Sequence, residues 1–209
     1  MTVVRRRNGE SSREQILEAA TREFSTKGLD GARVDEIARL ANVNKQMIYH
    51  YFESKERLFI AVLERTYKTV RERQQDLSLR DLDPEAAMRR LVEFTADVWI
   101  EMPEFTRLLA SENLHKAAHV RQSKVITRMY PPLVETLREL LARGAKEGIF
   151  RTSIDPVDLY ISITSLSAHY VAHRYTFEAI FETKLMTPRR LRQRKDAICD
   201  MILRYLKPD

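Results

Sequence analysis

The chain has 209 residues and a mass of 24.5 kDa, enough for one large domain or for a small domain joined to a larger one. Its composition is 44% hydrophobic and 32% charged with only 5 Gly and 7 Pro, which excludes a disordered chain and predicts an all-α fold. The formal net charge of +6 favours a polyanionic partner without locating it.

The cysteine content and the hydropathy of the chain indicate its cellular compartment. Cys199 is the one cysteine, which excludes an internal disulfide and a Cys-based zinc site and fits a reduced cytoplasm. No apolar run approaches the ~20 residues of a membrane span. The basic N-terminal stretch TVVRRRNG lacks the apolar segment of a signal peptide. We therefore expect a cytoplasmic protein with no membrane partner.

A first amphipathic helix is predicted over residues 11–27. Ser11 is followed three places later by Glu14, which is the spacing of a capping box. Gly28 stands just past the end, where a left-handed residue commonly stops a helix. One apolar stripe is formed by Ile16, Leu17, Ala20 and Phe24.

Two short helices follow, joined by a tight turn. Apolar residues at Val34, Ile37, Ala38 and Ala41 predict a helix about two turns long. Asn42 takes the turn position that needs a positive φ, because asparagine tolerates that conformation better than most residues. Asn44 is placed to cap the next helix. This pattern predicts a helix-turn-helix.

The second helix, from Asn44 to about Phe52, divides its side chains between two faces. The apolar anchors are Met47, Ile48, Tyr51 and Phe52. The first turn and flank are left with Lys45, Gln46, Tyr49 and His50. A recognition helix inserts these positions into the major groove, where Gln pairs with adenine, Lys with guanine or phosphate, and Tyr with phosphate or a thymine methyl.

A third, longer helix starts after Ser54, which is placed as its cap. Lys55 and the exposed N–H groups of the first turn favour a phosphate. An apolar stripe runs out of the small domain along this helix, so residues 58–75 are predicted to be a connector.

The segment VDEIARLANVNKQMIYHYFESKERLF resembles the DNA-binding segment of the tetracycline-repressor (TetR) family. The resemblance covers residues ~11 to 65 and is carried by Phe24, Gly28, Ile37, Ala38, Ala41, Val43, Ile48, Tyr49, Tyr51, Phe52, Ser54, Lys55 and Leu58. Two positions depart from the family pattern. Asn42 replaces the turn glycine, and Ala32 with Arg33 replaces the usual Thr/Ser helix cap.

The resemblance implies a ligand-responsive transcriptional regulator that is expected to act as a repressor, and not an enzyme. Its domains would be an N-terminal three-helix helix-turn-helix domain with a basic arm (1–57), the connector (58–75) and a larger helical domain for effector binding and dimerisation (76–209). Its partners would be a palindromic double-stranded operator, a second copy and a small-molecule effector. The expected DNA contacts are Arg33, Asn44, Lys45, Gln46, Met47, Tyr49, His50, Tyr51 and Lys55.

The remaining residues predict helices at about 84–101, 103–115, 121–146, 155–180 and 188–206. Asp155 before Pro156, and Thr187 before Pro188, each supply a cap followed by a favourable first residue. Small residues at Ser162, Ser165, Ala168 and Ala172, with Leu191, Ile198, Ile202 and Tyr205 on the last helix, suit either the core or a two-fold interface. A half-site reader usually acts as a dimer, so we expect a homodimer.

The effector contacts are predicted from the helices on which suitable side chains lie. Aromatic side chains with a few polar groups would suit a small planar or anionic molecule. The residues chosen are Trp99, Phe105, Asn113, His115, His169, His173 and Phe177. The pairs His115/His119 and His169/His173 have i, i+4 spacing, which places each pair on one helix face and leaves a metal-sensing regulator open as an alternative.

Two basic runs have simpler interpretations. Arg5, Arg6 and Arg7 form either a solvated tail or an arm that contacts the minor groove. The run PRRLRQRK at 188–195 is interpreted as the solvated face of the last helix.

Nothing in the sequence predicts catalysis, a cofactor or a metal site. Phosphate-binding glycine loops, nucleophile elbows and His–Cys pairs are missing from the sequence. The other class left open is a non-catalytic helical protein that binds a small molecule.

Overall fold

The computed structural model describes the backbone of residues 2–208 and the side chains of residues 11–208. Over that part of the chain it is helical with no strand, as predicted. The helices are α1 (Thr2–Gly31), α2 (Val34–Leu40), α3 (Lys45–Phe52), α4 (Lys55–Gln75), α5 (Pro84–Glu101), α6 (Pro103–Leu114), α7 (Lys124–Lys146), α8 (Pro156–Ala172), α9 (Arg174–Phe181) and α10 (Pro188–Leu206).

The chain divides into two compact units. The N-terminal unit contains residues up to Thr69 together with Glu104–Arg128, and the C-terminal unit contains Val70–Pro103 together with the residues from Met129 onward. The domain boundaries expected at residues 57 and 75 were drawn by function, whereas these units are defined by contacts. The functional boundaries stay a prediction.

Helix α1 differs from the prediction at its start. It begins at Thr2 and not at residue 11, because the capping-box residues Ser11 and Glu14 also fit within a helix. Near its end, Gly28 has the expected positive φ (69°) and interrupts the helical backbone, but its ψ of 179° is not that of a left-handed helical residue, and the helix resumes as far as Gly31.

The core of the N-terminal unit is built from the predicted stripes. Ile16, Phe24 and Ile37 are fully buried. The Phe24 and Phe59 rings meet edge to face with their centroids 5.1 Å apart. Such pairs add about 0.5–1.5 kcal/mol beyond area burial, so α1 and α4 form a firm base for α2 and α3.

Buried polar groups join α6 to the rest of the N-terminal unit. Glu112 is 2% exposed and accepts hydrogen bonds from the backbone of His119 (2.8 Å) and Val120 (2.9 Å) and from His119 Nδ1 (2.7 Å). Ser111 Oγ accepts from the backbone N–H of Leu29 at 3.1 Å. Helix α6 is therefore fixed beside the end of α1.

The prediction that His115 and His119 share one helix face is wrong. Helix α6 ends at Leu114, and the chain turns through Lys116 (φ 54°) and Ala117 (φ 60°). The two imidazoles still lie close, with ring centroids 5.4 Å apart, because the turn brings them together.

The core of the C-terminal unit lies between α5, α7, α8 and α10. Its members include Met88, Leu91, Leu137, Ile163 and Ile198. Gly144 faces the ring of Phe150, which an added Cβ would approach to 2.0 Å. Cys199 is also buried here, and burial raises the pKa of its thiol to about 11.

The boundaries of the later helices agree with the prediction except at two places. The predicted helix 155–180 is two helices, α8 and α9, separated at His173 (φ −102°, ψ 11°). Helix α7 starts at Lys124, after a short 3-10 turn at Val120–Gln122. The predicted caps are confirmed, since Asp155 and Thr187 accept backbone N–H groups of their helices.

None of the helices described between residues 2 and 208 has a stretch both long and apolar enough to cross a bilayer.

Candidate nucleic-acid interface and effector region

The turn between α2 and α3 sets the direction of α3. Asn42 has φ 53°, as expected of the residue that replaces the turn glycine. The amide of Val43 donates to Ala38 O at 3.0 Å, which closes α2. Asn44 Oδ1 accepts from the amide of Met47 at 2.8 Å and caps α3. Both predicted roles in the turn are confirmed.

Helix α3 has one buried face and one exposed face. Ile48 is 1% and Phe52 5% exposed, so they anchor the helix on the N-terminal unit. Met47 and Tyr51 are half-buried at the edge. The exposed side chains on this helix include Lys45, Gln46, Tyr49 and His50. The first turn of α3 therefore presents polar groups outward on a rigid support.

An ion pair limits the freedom of Lys45. Its Nζ lies 2.8 Å from Asp35 Oδ1 on α2, and both side chains are well exposed. The hydrogen bond lowers the pKa of the Asp35 carboxyl and raises the pKa of the Lys45 ammonium. This pair was not predicted from the sequence, although Asp35 is an acidic residue in the first turn of α2.

Lys55 contacts the protein's own backbone. Its Nζ donates to the carbonyls of Asp30 (3.2 Å) and Ala32 (2.9 Å), where α1 gives way to α2. Ser54 Oγ accepts from the amide of Arg57 at 3.1 Å, which confirms it as the cap of α4. The Lys55 ammonium therefore holds the α1–α2 connection, in addition to the phosphate contact predicted for it.

Arg33 is exposed at the start of α2, and its side chain makes no cap hydrogen bond. Its backbone amide instead donates to Glu23 Oε1 at 3.2 Å. Glu23 is 5% exposed and also pairs with Lys27 at 2.9 Å. A buried carboxylate from α1 thus holds the backbone of the N-cap residue itself, whereas the missing Thr/Ser side chain would accept from an amide inside α2, and no local sequence signal predicted this contact. The side chains of Arg5, Arg6 and Arg7 lie outside the described residues.

The predicted effector residues fall into both units. In the N-terminal unit, Phe105 is buried and its ring meets Tyr67 edge to face at 5.2 Å. Asn113 is exposed and donates to Leu109 O at 2.8 Å. His115 is half-buried, with Nε2 3.6 Å from Asp30 Oδ2. The contacts described for these three side chains are with different partners, and their effector role remains a prediction.

In the C-terminal unit, three of the predicted residues come together. The rings of His169 and His173 are 4.1 Å apart, and the ring of Phe177 lies 5.5 Å from His169 and 6.1 Å from His173. Both imidazoles are exposed, whereas Trp99 is buried in α5. Within residues 11–208, no group of three or more His, Cys, Asp or Glu is arranged to hold a metal ion.

A polar cluster that was not predicted from the sequence lies in the C-terminal unit. The guanidinium of Arg71 on α4 lies over the ring of Tyr130 on α7 (5.0 Å from Cζ to the ring centroid) and near the ring of Tyr160 on α8 (5.9 Å), and the two rings meet edge to face. Its Nη2 donates to Tyr160 Oη at 3.1 Å, and Nη1 donates to Gln74 Oε1. The sequence holds one signal of this cluster. Arg71 follows Leu63 and Tyr67 at intervals of four residues, so a charged side chain continues the apolar stripe of α4.

Family comparisons cover both parts of the chain. Residues 16–62 match the model of the bacterial regulatory proteins of the tetR family. Residues 84–202 match a tetracyclin repressor-like C-terminal domain.

Individual proteins agree with these matches. The chain is 37% identical to the HTH-type transcriptional repressor NicS of Pseudomonas putida, covering 99% of this chain and 97% of that protein. It is 28% identical to the HTH-type transcriptional regulator RutR of Escherichia coli, with 95% and 92% covered.

A solved structure supports the same fold. The ketosteroid transcriptional regulator KstR2 of Mycobacterium tuberculosis superposes with a TM-score of 0.68 at 19% identity, covering 94% of this chain and 95% of that one.

Proposed function

Since the chain belongs to the TetR family of DNA-binding transcriptional regulators, we propose that it binds a palindromic operator as a homodimer and releases it when a small-molecule effector binds. It acts as a repressor in the cytoplasm, and DNA binding rather than catalysis is its activity.

The observation that carries the operator contact is the two-faced α3. Gln46 is exposed on its first turn, where a glutamine forms paired hydrogen bonds with an adenine edge. Lys45 leaves its ion pair with Asp35 and binds guanine or phosphate instead. Tyr49, which is 43% exposed, contacts phosphate or a thymine methyl. Arg33, Asn44, Met47, His50, Tyr51 and Lys55 complete the proposed contact set.

Exposed apolar groups on α8 and α10 support the homodimer. Ile161 on α8 is 55% exposed, and on α10 Met201 is 42% and Tyr205 52% exposed. The small residues Ser162, Ser165 and Ala172 are exposed as well. Ile198 and Ile202 are buried in the core, so they belong to the unit's own packing. A second copy covers the outer face in the proposed dimer, as two-fold readers of DNA require.

Effector binding is proposed to weaken operator binding through the connector. The ligand moves α4, the two recognition helices change their separation, and the half-site spacing of roughly 34–36 Å is lost. A coupling free energy of about 1–3 kcal/mol suffices for a 5- to 150-fold change in DNA affinity.

The test is selection of bound duplexes from a random pool, followed by affinity measurements on the selected and on random DNA. Gln46→Ala should weaken the selected site by about 1–3 kcal/mol and leave random DNA nearly unchanged. Gln193→Ala, an exposed position on α10, is the matched control.

Two outcomes contradict the proposal. Selection that yields no inverted repeat would remove the palindromic operator, and sedimentation of the purified protein as a monomer on the selected DNA would remove the dimer. Equal losses on selected and random DNA for Gln46→Ala would remove base reading by α3.

A further inference from the structure

Arg71 keeps an unused hydrogen-bond donor in the interior of the C-terminal unit. Its Nη1 and Nη2 donate to Gln74 and Tyr160, but its Nε is buried and has no partner. A buried guanidinium N–H without an acceptor is costly, and native structures rarely retain one without a reason.

The part-buried guanidinium of Arg71 also lacks an acidic partner. Among the ion pairs of the described residues, none joins this guanidinium to a carboxylate. The rings of Tyr130 and Tyr160 lie 6.3 Å apart and face it from α7 and α8. Cation–π contacts stabilise the charge without occupying its N–H groups. The cluster therefore holds a cation whose Nε–H is left without an acceptor, beside an Nη2 that has one hydrogen directed to Tyr160 and a second to donate.

A second unpartnered polar atom lies on the same face of α8. Thr164 Oγ1 is buried without a hydrogen-bond partner, and Thr164 follows Tyr160 by one helical turn. The hydroxyl of Tyr160 accepts from Arg71 and retains its own hydrogen as a donor. Arg71 on α4 and both Tyr160 and Thr164 on α8 thus each have a hydrogen-bond donor for which an acceptor is needed.

We propose that Arg71 is the anion-recognition group of the effector site and that the effector is a small organic carboxylate. This inference rests on the proposed function, because it names the ligand class of the regulator. The Nε–H and one Nη2–H share an edge of the guanidinium, which is the edge that binds two carboxylate oxygens in parallel. Tyr160 donates a third hydrogen bond, and Thr164 contacts a polar atom farther along the ligand.

The experiment uses the full chain and probes of defined charge. Aliphatic and aromatic monocarboxylates, beginning with butyrate and benzoate, are each paired with the corresponding primary amide. Thermal unfolding of the wild type is expected to shift upward with at least one acid of the panel and not with its amide. Isothermal titration then gives the dissociation constant of that acid.

Variants locate the binding group. Arg71→Gln should weaken the bound acid by about 10- to 100-fold, the effect of losing a charge-assisted hydrogen-bonded pair. Arg71→Lys keeps the charge but loses the fork, so it should weaken the acid nearly as much and also control for misfolding. Tyr160→Phe should cost less. Arg90→Gln, at an exposed position of α5, is the matched control and should leave binding unchanged.

DNA binding separates this inference from the proposed function. Wild type and Arg71→Gln should bind the selected operator equally without acid, and only the wild type should release it when acid is added. If no acid of the panel stabilises the protein, if amides act as well as acids, or if Arg71→Gln binds the acid unchanged, the assignment is wrong while operator binding stands. If the wild type binds no operator, the proposed function fails whatever the acids do.

Discussion

The two units treat buried polar groups in opposite ways. In the N-terminal unit, the buried carboxylates Glu23 and Glu112 are supplied with partners from neighbouring backbone and side chains, and Thr106 is the exception. In the C-terminal unit, Arg71, Thr164 and Arg194 each keep a buried polar atom without a partner. The first unit thus supports the exposed face of α3 with polar groups that are mostly paired, whereas the unpaired groups of the second are those on which the proposed effector site rests.

The sharpest contrast is between a buried and an exposed aromatic residue. Phe59→Ala removes a fully buried ring from the N-terminal unit and should lower the free energy of unfolding by about 3–5 kcal/mol. Tyr175→Ala, at a 70% exposed position of α9, is the control and should change it little. Chemical denaturation followed by circular dichroism measures both, and similar losses would break the comparison.

Glu112→Ala tests whether the filled polar interior of the N-terminal unit matters. It leaves the backbone donors of His119 and Val120 buried without their acceptor, at about 1–3 kcal/mol each. We expect a loss of about 2–4 kcal/mol in the free energy of unfolding and weaker operator binding. The exposed Glu147→Ala is the reference, and a Glu112 variant as stable as that reference would contradict the role of this network.

Gly144→Ala tests the apolar packing of the C-terminal unit. The added methyl would meet the ring of Phe150 at 2.0 Å, so the buried ring must move. Overpacking of this kind should destabilise the protein by about 1–3 kcal/mol. Gly31→Ala is the matched control because its new methyl would lie at ordinary contact distance, 3.4 Å from Lys27 Cβ. Equal melting temperatures for the two variants would show that Phe150 is loosely held.

Asp35→Asn should have the smallest effect, and on DNA rather than on stability. It frees Lys45 and removes one negative charge beside the proposed groove contact. Affinity for random DNA should rise about two- to threefold at low ionic strength and return to the wild-type value in high salt. Glu147→Gln, at an exposed position far along the chain, controls for net charge. Weaker binding by Asp35→Asn would mean that the ion pair positions Lys45 for DNA.

The sequence was most informative where local rules decide the structure. The positive φ at Asn42, the cap at Asn44 and the burial of Ile48 follow from turn chemistry and helical periodicity, and all three are confirmed. The caps at Asp155 and Thr187 followed in the same way. These features depend on residues within one or two turns of each other.

Contacts between distant residues were not predictable. Glu23 accepts a hydrogen bond from the amide of Arg33, ten residues away, and the turn after Leu114 brings His115 and His119 together. Arg71 meets Tyr160 across 89 positions of sequence. Pairings of this kind are set by how helices pack, which a single sequence without relatives does not specify.

Burial of Cys199 has a practical consequence. A thiol reacts as its thiolate, and a pKa of about 11 leaves very little thiolate at neutral pH. A cysteine introduced by Arg57→Cys, at an exposed site near the start of α4, would therefore take up nearly all of a maleimide spin label. In a homodimer, electron paramagnetic resonance would measure the distance between the two labels. That distance would report the separation of the two helix-turn-helix domains before and after an acid is added.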